Sequence, residues 1–298
     1  MLALLLAAAL AAPGPSSRLL AEARHHARTG DWAGMRQAAD AALDLPGDHQ
    51  RQAQLLIGVS YELGGAPEAA LAMYDLLMSA YRRSDAPDTL LLRRATTLGL
   101  LERFGPARRQ LRRLERRGVT PEQQVQLGVL RGVWSLEEGR DRQGLEALRD
   151  ALALRAPSPY WRARGHATLL HYALEQCDRF PLSGDPDAIE GALATRGQLV
   201  ELALDQAAAL ARLDHPRETL DALEALSHSF EVIGDDLIRV GGYLDDAERL
   251  RRVEGVWLKA IGFVDRGLLV AQRDLNDPTA VSALEARRHA LQARIESL

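Results

Sequence analysis

The chain has 298 residues and a formal net charge of -4; alanine, leucine and arginine dominate it, and only 5% of its residues are aromatic. This charge balance excludes a polyanion binder in the large. The near-absence of alternating Val/Ile runs excludes a sheet protein, which leaves an all-α chain. The single cysteine, Cys177, excludes an intramolecular disulfide and cysteine-rich zinc sites.

In chain order, the first feature is an apolar stretch from Leu2 to Ala12, with small residues at Ala9 and Ala11 and a Pro13-Gly14-Pro15 break after it. Residues 1–12 have the form of the apolar region of a secretory signal peptide, although no Lys or Arg precedes them. The stretch is too short to span a bilayer about 30 Å thick, and no other segment is apolar for long enough. The expected location is periplasmic or secreted, and cytoplasmic if the apolar N-terminus is not a signal peptide.

Residues 17–157 divide into four helix hairpins. The clearest begins at Gln54 and reads QLLIGVSYELGGAPEAALAMYDLL, with Ile57, Gly58 and Tyr61 on a first helix and Ala70 and Tyr74 on a second. Small residues mark where two antiparallel helices touch, and aromatic ones fill the space around them. Gly64-Gly65 ends the first helix and Pro67 opens the second. The register returns at steps of 37 residues as Leu91, Ala95, Leu98, Ala107, Leu111 and Leu114, then as Gly132, Gly139, Gly144, Leu148 and Ala151, with Pro157 closing the unit. A looser copy lies 35 residues upstream, through Leu19, Ala23, Gly30, Trp32, Ala39 and Ala42.

The spacing W-x2-L-G-x2-Y followed by A-x3-F is the tetratricopeptide repeat (TPR) pattern, and the unit around Gly58, Tyr61, Ala70 and Tyr74 resembles it, departing at the tryptophan and the closing proline. The resemblance covers about residues 17–157, and a further copy from Ala203 to Leu226 is weaker. It implies a right-handed superhelical array of antiparallel helix hairpins, a TPR-like solenoid. Residues 158–242 are an irregular continuation, interrupted by the loop at 177–187, and a helix from Pro186 to Leu213 would be unusually long. Residues 243–298 are expected to form a C-terminal helical hairpin, its apolar stripe running through Trp257, Ile261 and Leu268 before the break at Asn276-Asp277-Pro278.

No candidate for chemistry is well formed. His25 and His26 are adjacent and His166 and His171 are five apart, neither the spacing of a helical zinc site, so no metal and no cofactor are expected. The glycines of LGGAPEAAL lack both the Walker spacing and its lysine. An enzyme built on Cys177 would need His171 and an acidic side chain to converge on the thiol.

Charge is less evenly spread than the total implies. Residues 82–117 hold eleven arginines against Asp85, Asp88, Glu102 and Glu115, whereas residues 185–298 carry 13 basic and 21 acidic side chains. Within RRQLRRLERR, Arg108, Arg112 and Arg116 step by four, as do Arg109, Arg113 and Arg117, which sets a basic stripe opposite Leu111 and Leu114. The TPR resemblance implies a scaffold, not an enzyme, that holds a protein or peptide along a groove lined by the first helix of each hairpin. Matched by position, the groove candidates are Gln54, Arg94, Arg131 and Arg164, an arginine ladder suited to an acidic or carboxylate-bearing partner. Nucleic acid is disfavoured because no stacking aromatics interleave the arginines.

Overall fold

The computed structural model describes residues 15–45, 49–81, 85–183, 186–240 and 245–298. The apolar segment 1–12 expected to be a signal peptide, Arg82, Arg83 and Gly241-Gly242 lie outside them. By contacts the chain divides into two units, Met1–Trp134 and Ser135–Leu298.

The first unit consists of short helices paired in chain order: α1 (Pro15–Thr29) with α2 (Trp32–Leu43), α3 (Gln50–Leu63) with α4 (Pro67–Ser79), and α5 (Asp88–Leu100) with α6 (Phe104–Glu115), followed by α7 (Pro121–Glu137). Each buries a narrow stripe at helical spacing. In α1 this is Leu20, Ala23 and Ala27; in α2 it is Met35, Ala38, Ala39 and Ala42; in α6 it is Phe104, Ala107, Leu111 and Leu114. Alanine dominates these stripes because neighbouring backbones approach closely, and each buried leucine contributes about 1.5–3 kcal/mol.

One turn closes the hairpins. Gly30, Gly65, Glu102 and Gly139 all have positive φ (74°, 79°, 57° and 70°). In each case the next residue donates its N–H to the carbonyl five positions earlier: Asp31 to His26, Ala66 to Tyr61, Arg103 to Leu98 and Arg140 to Ser135, at 2.8–3.0 Å. This is the Schellman closure, which satisfies helix-end carbonyls and asks for glycine at the left-handed residue. The four turns are separated by 35, 37 and 37 residues, so the repeat is written in the backbone as well as in the packing. Glu102 occupies the glycine position in the third.

The second unit holds α8 (Asp141–Ala153), α9 (Pro159–Asp178), α10 (Pro186–Ala211), α11 (Pro216–Arg239), α12 (Asp246–Val270) and α13 (Pro278–Glu296), the last two joined by a π-helical turn, Ala271–Leu275, and by Asn276 at φ 49°. The length of α10 is real: one helix of 26 residues runs from Pro186. Helix α9 packs along α10, α11 along α12, and α13 on α12. The expected C-terminal hairpin therefore has no separate core. Trp257, Phe263 and Leu284 share one apolar cluster with Leu170, Leu210 and Leu226, and Phe230 of α11 stacks on Phe263 of α12 at 5.5 Å. Among the described residues no helix is long and apolar enough to cross a membrane.

Candidate protein-binding surfaces

The clearest hairpin shows what its residues do. A Cβ added to Gly58 in α3 would lie 2.5 Å from the ring of Tyr74 in α4, so the glycine is the space that the tyrosine fills. Tyr74 is fully buried and its hydroxyl donates to Glu62 Oε2 at 2.7 Å. Arg93 of α5 donates from Nη1 to Glu62 Oε1 at 2.9 Å, and both Glu62 and Arg93 are only 9% exposed. A carboxylate so buried needs its charge matched and its lone pairs occupied, and these two donors supply both. Burial first, then the Glu62 charge, pushes the Tyr74 phenol far above its ordinary value, so it stays a donor. The cluster joins one hairpin to the next. Its members lie 12 and 31 residues apart. Gly99 repeats the device, its Cβ position filled by the indole of Trp134.

Glycine under a ring, alanine at the helix crossing and a Schellman turn between are now in place together. These are tetratricopeptide-type hairpins. No family model matches the chain, and no curated protein matches it. Among solved structures it is similar to a tetratricopeptide repeat protein from Parabacteroides merdae (14% identity, 94% of this chain and 100% of that one, TM-score 0.46). It is also similar to MamA (11%, 66% and 99%, 0.41) and to the TPR2AB domain of yeast Sti1 in complex with pHSP90 (12%, 93% and 98%, 0.33). At these scores the hairpin packing inside the chain, not the likeness, carries the assignment.

The groove candidates are partly engaged within the chain. Arg94 donates from Nε to Asp75 Oδ1 at 2.6 Å, reaching the second helix of the preceding hairpin. Arg131 is ion-paired with Glu115, likewise on the second helix of the preceding hairpin, and burial, then the nearby Arg112, push its guanidinium down. The ladder seen in the sequence is thus also a set of bridges between successive hairpins. Arg164 lies over the Trp161 ring at 5.6 Å, and Gln54 is half-buried.

The basic stripe of α6 stands opposite Leu111 and Leu114 as expected, but its six arginines are not equivalent. Their steps of about 100° spread them over half the helix circumference. On one flank Arg117 donates to Asp88 Oδ1 at 2.9 Å and to the Ala86 carbonyl at 2.6 Å, holding the start of α5, and Arg113 is half-buried. On the other, Arg108 lies 6.0 Å from the Phe104 ring centre, and burial pushes its guanidinium down. The middle of the stripe, Arg109, Arg112 and Arg116, is exposed and forms no ion pair among the described residues.

Cys177 and His171 do not converge. His171 is exposed, while the thiol is buried and donates back to the Ala173 carbonyl at 3.4 Å. Burial pushes that thiol up to about 11, the reverse of what a nucleophile needs. Its neighbour Arg196, with a side chain only 4% exposed, is a structural clamp that the sequence did not reveal. Its Nε donates to the carbonyls of Cys177 (3.1 Å) and Phe180 (2.8 Å) at the end of α9, and its Nη1 to Asp236 Oδ2 of α11 (2.7 Å). His166 pairs through Nδ1 with Gln206 Oε1 at 2.8 Å. Among the described residues no three His, Cys, Asp or Glu side chains gather as a metal site would require.

Proposed function

We propose that the chain is a protein-interaction scaffold of tetratricopeptide type that holds an acidic protein segment on the outer face of α6. The observation that carries this reading is the contrast among neighbouring arginines. Arg94, Arg117 and Arg131 are matched by Asp75, Asp88 and Glu115, whereas Arg109 and Arg112 of α6 and Arg116 at its C-terminal cap stand exposed. An acidic segment gains charge-assisted hydrogen bonds there without displacing an internal partner. At Arg94 or Arg131 an incoming carboxylate must compete with one already in place, so these two contribute less, as does Arg164 over its tryptophan. Gln54 offers hydrogen bonding alone.

Affinity purification from the native cell, with quantitative mass spectrometry, tests this. Arg109→Glu/Arg112→Glu/Arg116→Glu is expected to lose the acidic partners that the wild type retains, and retention of the same set contradicts the reading. Export belongs to the same proposal, supported by the apolar run before Pro13-Gly14-Pro15. It predicts a mature chain that begins after that run. A soluble cytoplasmic protein retaining Leu2 to Ala11 would contradict it.

A further inference from the structure

Helix α12 presents a face that nothing described in the chain covers. Gly255, Leu258, Gly262 and Leu269 follow one another at steps of 3, 4 and 7 residues, the 3.5-residue repeat of a helix seam. Leu258 is 52% and Leu269 48% exposed. Gly255 and Gly262 have no atom within 4 Å of where a Cβ would sit, unlike Gly58, Gly99 and Gly234, whose Cβ positions are filled by aromatic rings of this chain. Glycine inside a helix is destabilising relative to alanine, and here no internal contact compensates for it.

The flank of the seam toward α11 is basic. Arg252, Lys259 and Arg266 recur along α12 at a constant step of seven, and Arg273 follows in the π-helical turn after it. Arg252 is paired with Glu248, but Lys259 and Arg266 lie only near the Phe230 and Phe263 rings, at 5.8 and 5.7 Å, and with Arg273 they form no ion pair among the described residues. Between Gly262 and Leu269 the seam position is Asp265, already neutralised by Arg288 at 2.8 Å, and the opposite flank carries Glu254. Three unmatched cations beside an apolar seam are conspicuous in a segment whose overall balance is acidic.

We propose that this face docks an amphipathic helix of a partner protein, its apolar seam packed on Leu258, Gly262 and Leu269 and its acidic flank lying along Lys259, Arg266 and Arg273. The glycines let the partner helix approach closely, and the charge row fixes which flank it turns toward α11. A second copy of the chain fits less well. Antiparallel, the basic row of one α12 would lie along the basic row of the other; parallel, Asp265 would face Asp265 and Arg251 would face Arg251.

The full chain, titrated with two synthetic helical peptides that share one leucine seam but carry either a glutamate or a lysine flank, tests the proposal. The glutamate peptide is expected to bind at least about tenfold more tightly than the lysine peptide. Lys259→Glu/Arg266→Glu and, separately, Gly262→Gln should each weaken it by about tenfold. In the α6 reversal Arg109→Glu/Arg112→Glu/Arg116→Glu, which removes the other basic surface a glutamate flank can meet, binding should persist with the same preference for glutamate. Glutamine is the better helix former, so Gly262→Gln keeps its fold, which circular dichroism checks. Equal binding of both peptides, binding of neither, or insensitivity to both α12 variants overturns the proposal. Loss of binding in the α6 reversal alone would overturn it while favouring the α6 site, and a concentration-dependent dimer abolished by Gly262→Gln would replace it with self-association.

Discussion

The helices up to α7 and those from α8 onward solve the same problem in different ways. Early helices are 12 to 17 residues long, and a left-handed residue ends the first helix of each hairpin, so neighbouring backbone groups satisfy one another locally. Later on, α9 to α12 reach 20 to 26 residues, and the end of α9 is satisfied by a side chain from 19 residues further on, Arg196, anchored in turn by Asp236. Short repeated hairpins need only local rules, whereas long helices with irregular joints depend on a few distant polar contacts. Each region nonetheless holds one buried charge cluster, Glu62–Arg93–Tyr74 in the first and Arg196–Asp236 in the second.

Those two clusters give the largest expected effects. Removing one partner leaves the other charge buried and unmatched, so Glu62→Ala and Arg196→Ala are each expected to cost about 3–5 kcal/mol in urea unfolding. A loss below about 1 kcal/mol at either would show that water, not burial, governs that charge. Next come the glycines. Gly58→Ala drives a methyl into the Tyr74 ring and should cost about 1–3 kcal/mol, while Gly255→Ala, with open space around it, should stabilise by up to about 1 kcal/mol. If both variants moved stability in the same direction, the distinction between internal and outward glycines would fail. Glu102→Gly should gain about 1 kcal/mol by relieving the left-handed backbone, read as a higher Tm.

The smallest effects are chemical, and both lie in the second region. Cys177 should alkylate far more slowly in the native protein at pH 8 than after unfolding, because burial disfavours its thiolate. Burial likewise pushes the His166 imidazole below its ordinary 6.5, so the folded state prefers it neutral. That contribution is in place above pH 6.5 and is lost as pH falls through the folded value. His166→Gln should flatten the fall in urea midpoint between about pH 7 and 5, and an unaltered slope would assign the fall to other groups.

Much of the first region could be read from one-dimensional spacing. Gly58, Ala70 and Tyr74, the Gly64-Gly65 end of α3 and the Pro67 start of α4 are where the pattern put them, because each acts on residues within one hairpin. The buried cluster escaped notice, since Glu62 and Arg93 read as ordinary surface charges and meet only when two hairpins pack across 31 residues. The partners of Arg94 and Arg131 escaped for the same reason. One signal was available: Gly30, Gly65 and Gly139 share a register whose missing member is position 102, which marks Glu102 as the strained turn. In the second region the break at Asn276-Asp277-Pro278 was legible from its turn chemistry. Arg196 was not, because nothing local distinguishes a clamp from a solvated arginine.

The contrast between matched and unmatched arginines in the first region is the central claim, and calorimetric titration of a glutamate-rich peptide without apolar residues tests it most directly. Binding that weakens as salt rises from about 50 to 300 mM, is lost in Arg109→Glu/Arg112→Glu/Arg116→Glu and survives Arg94→Gln/Arg131→Gln is the predicted result. Binding that survives the α6 reversal and disappears in Arg94→Gln/Arg131→Gln would contradict it.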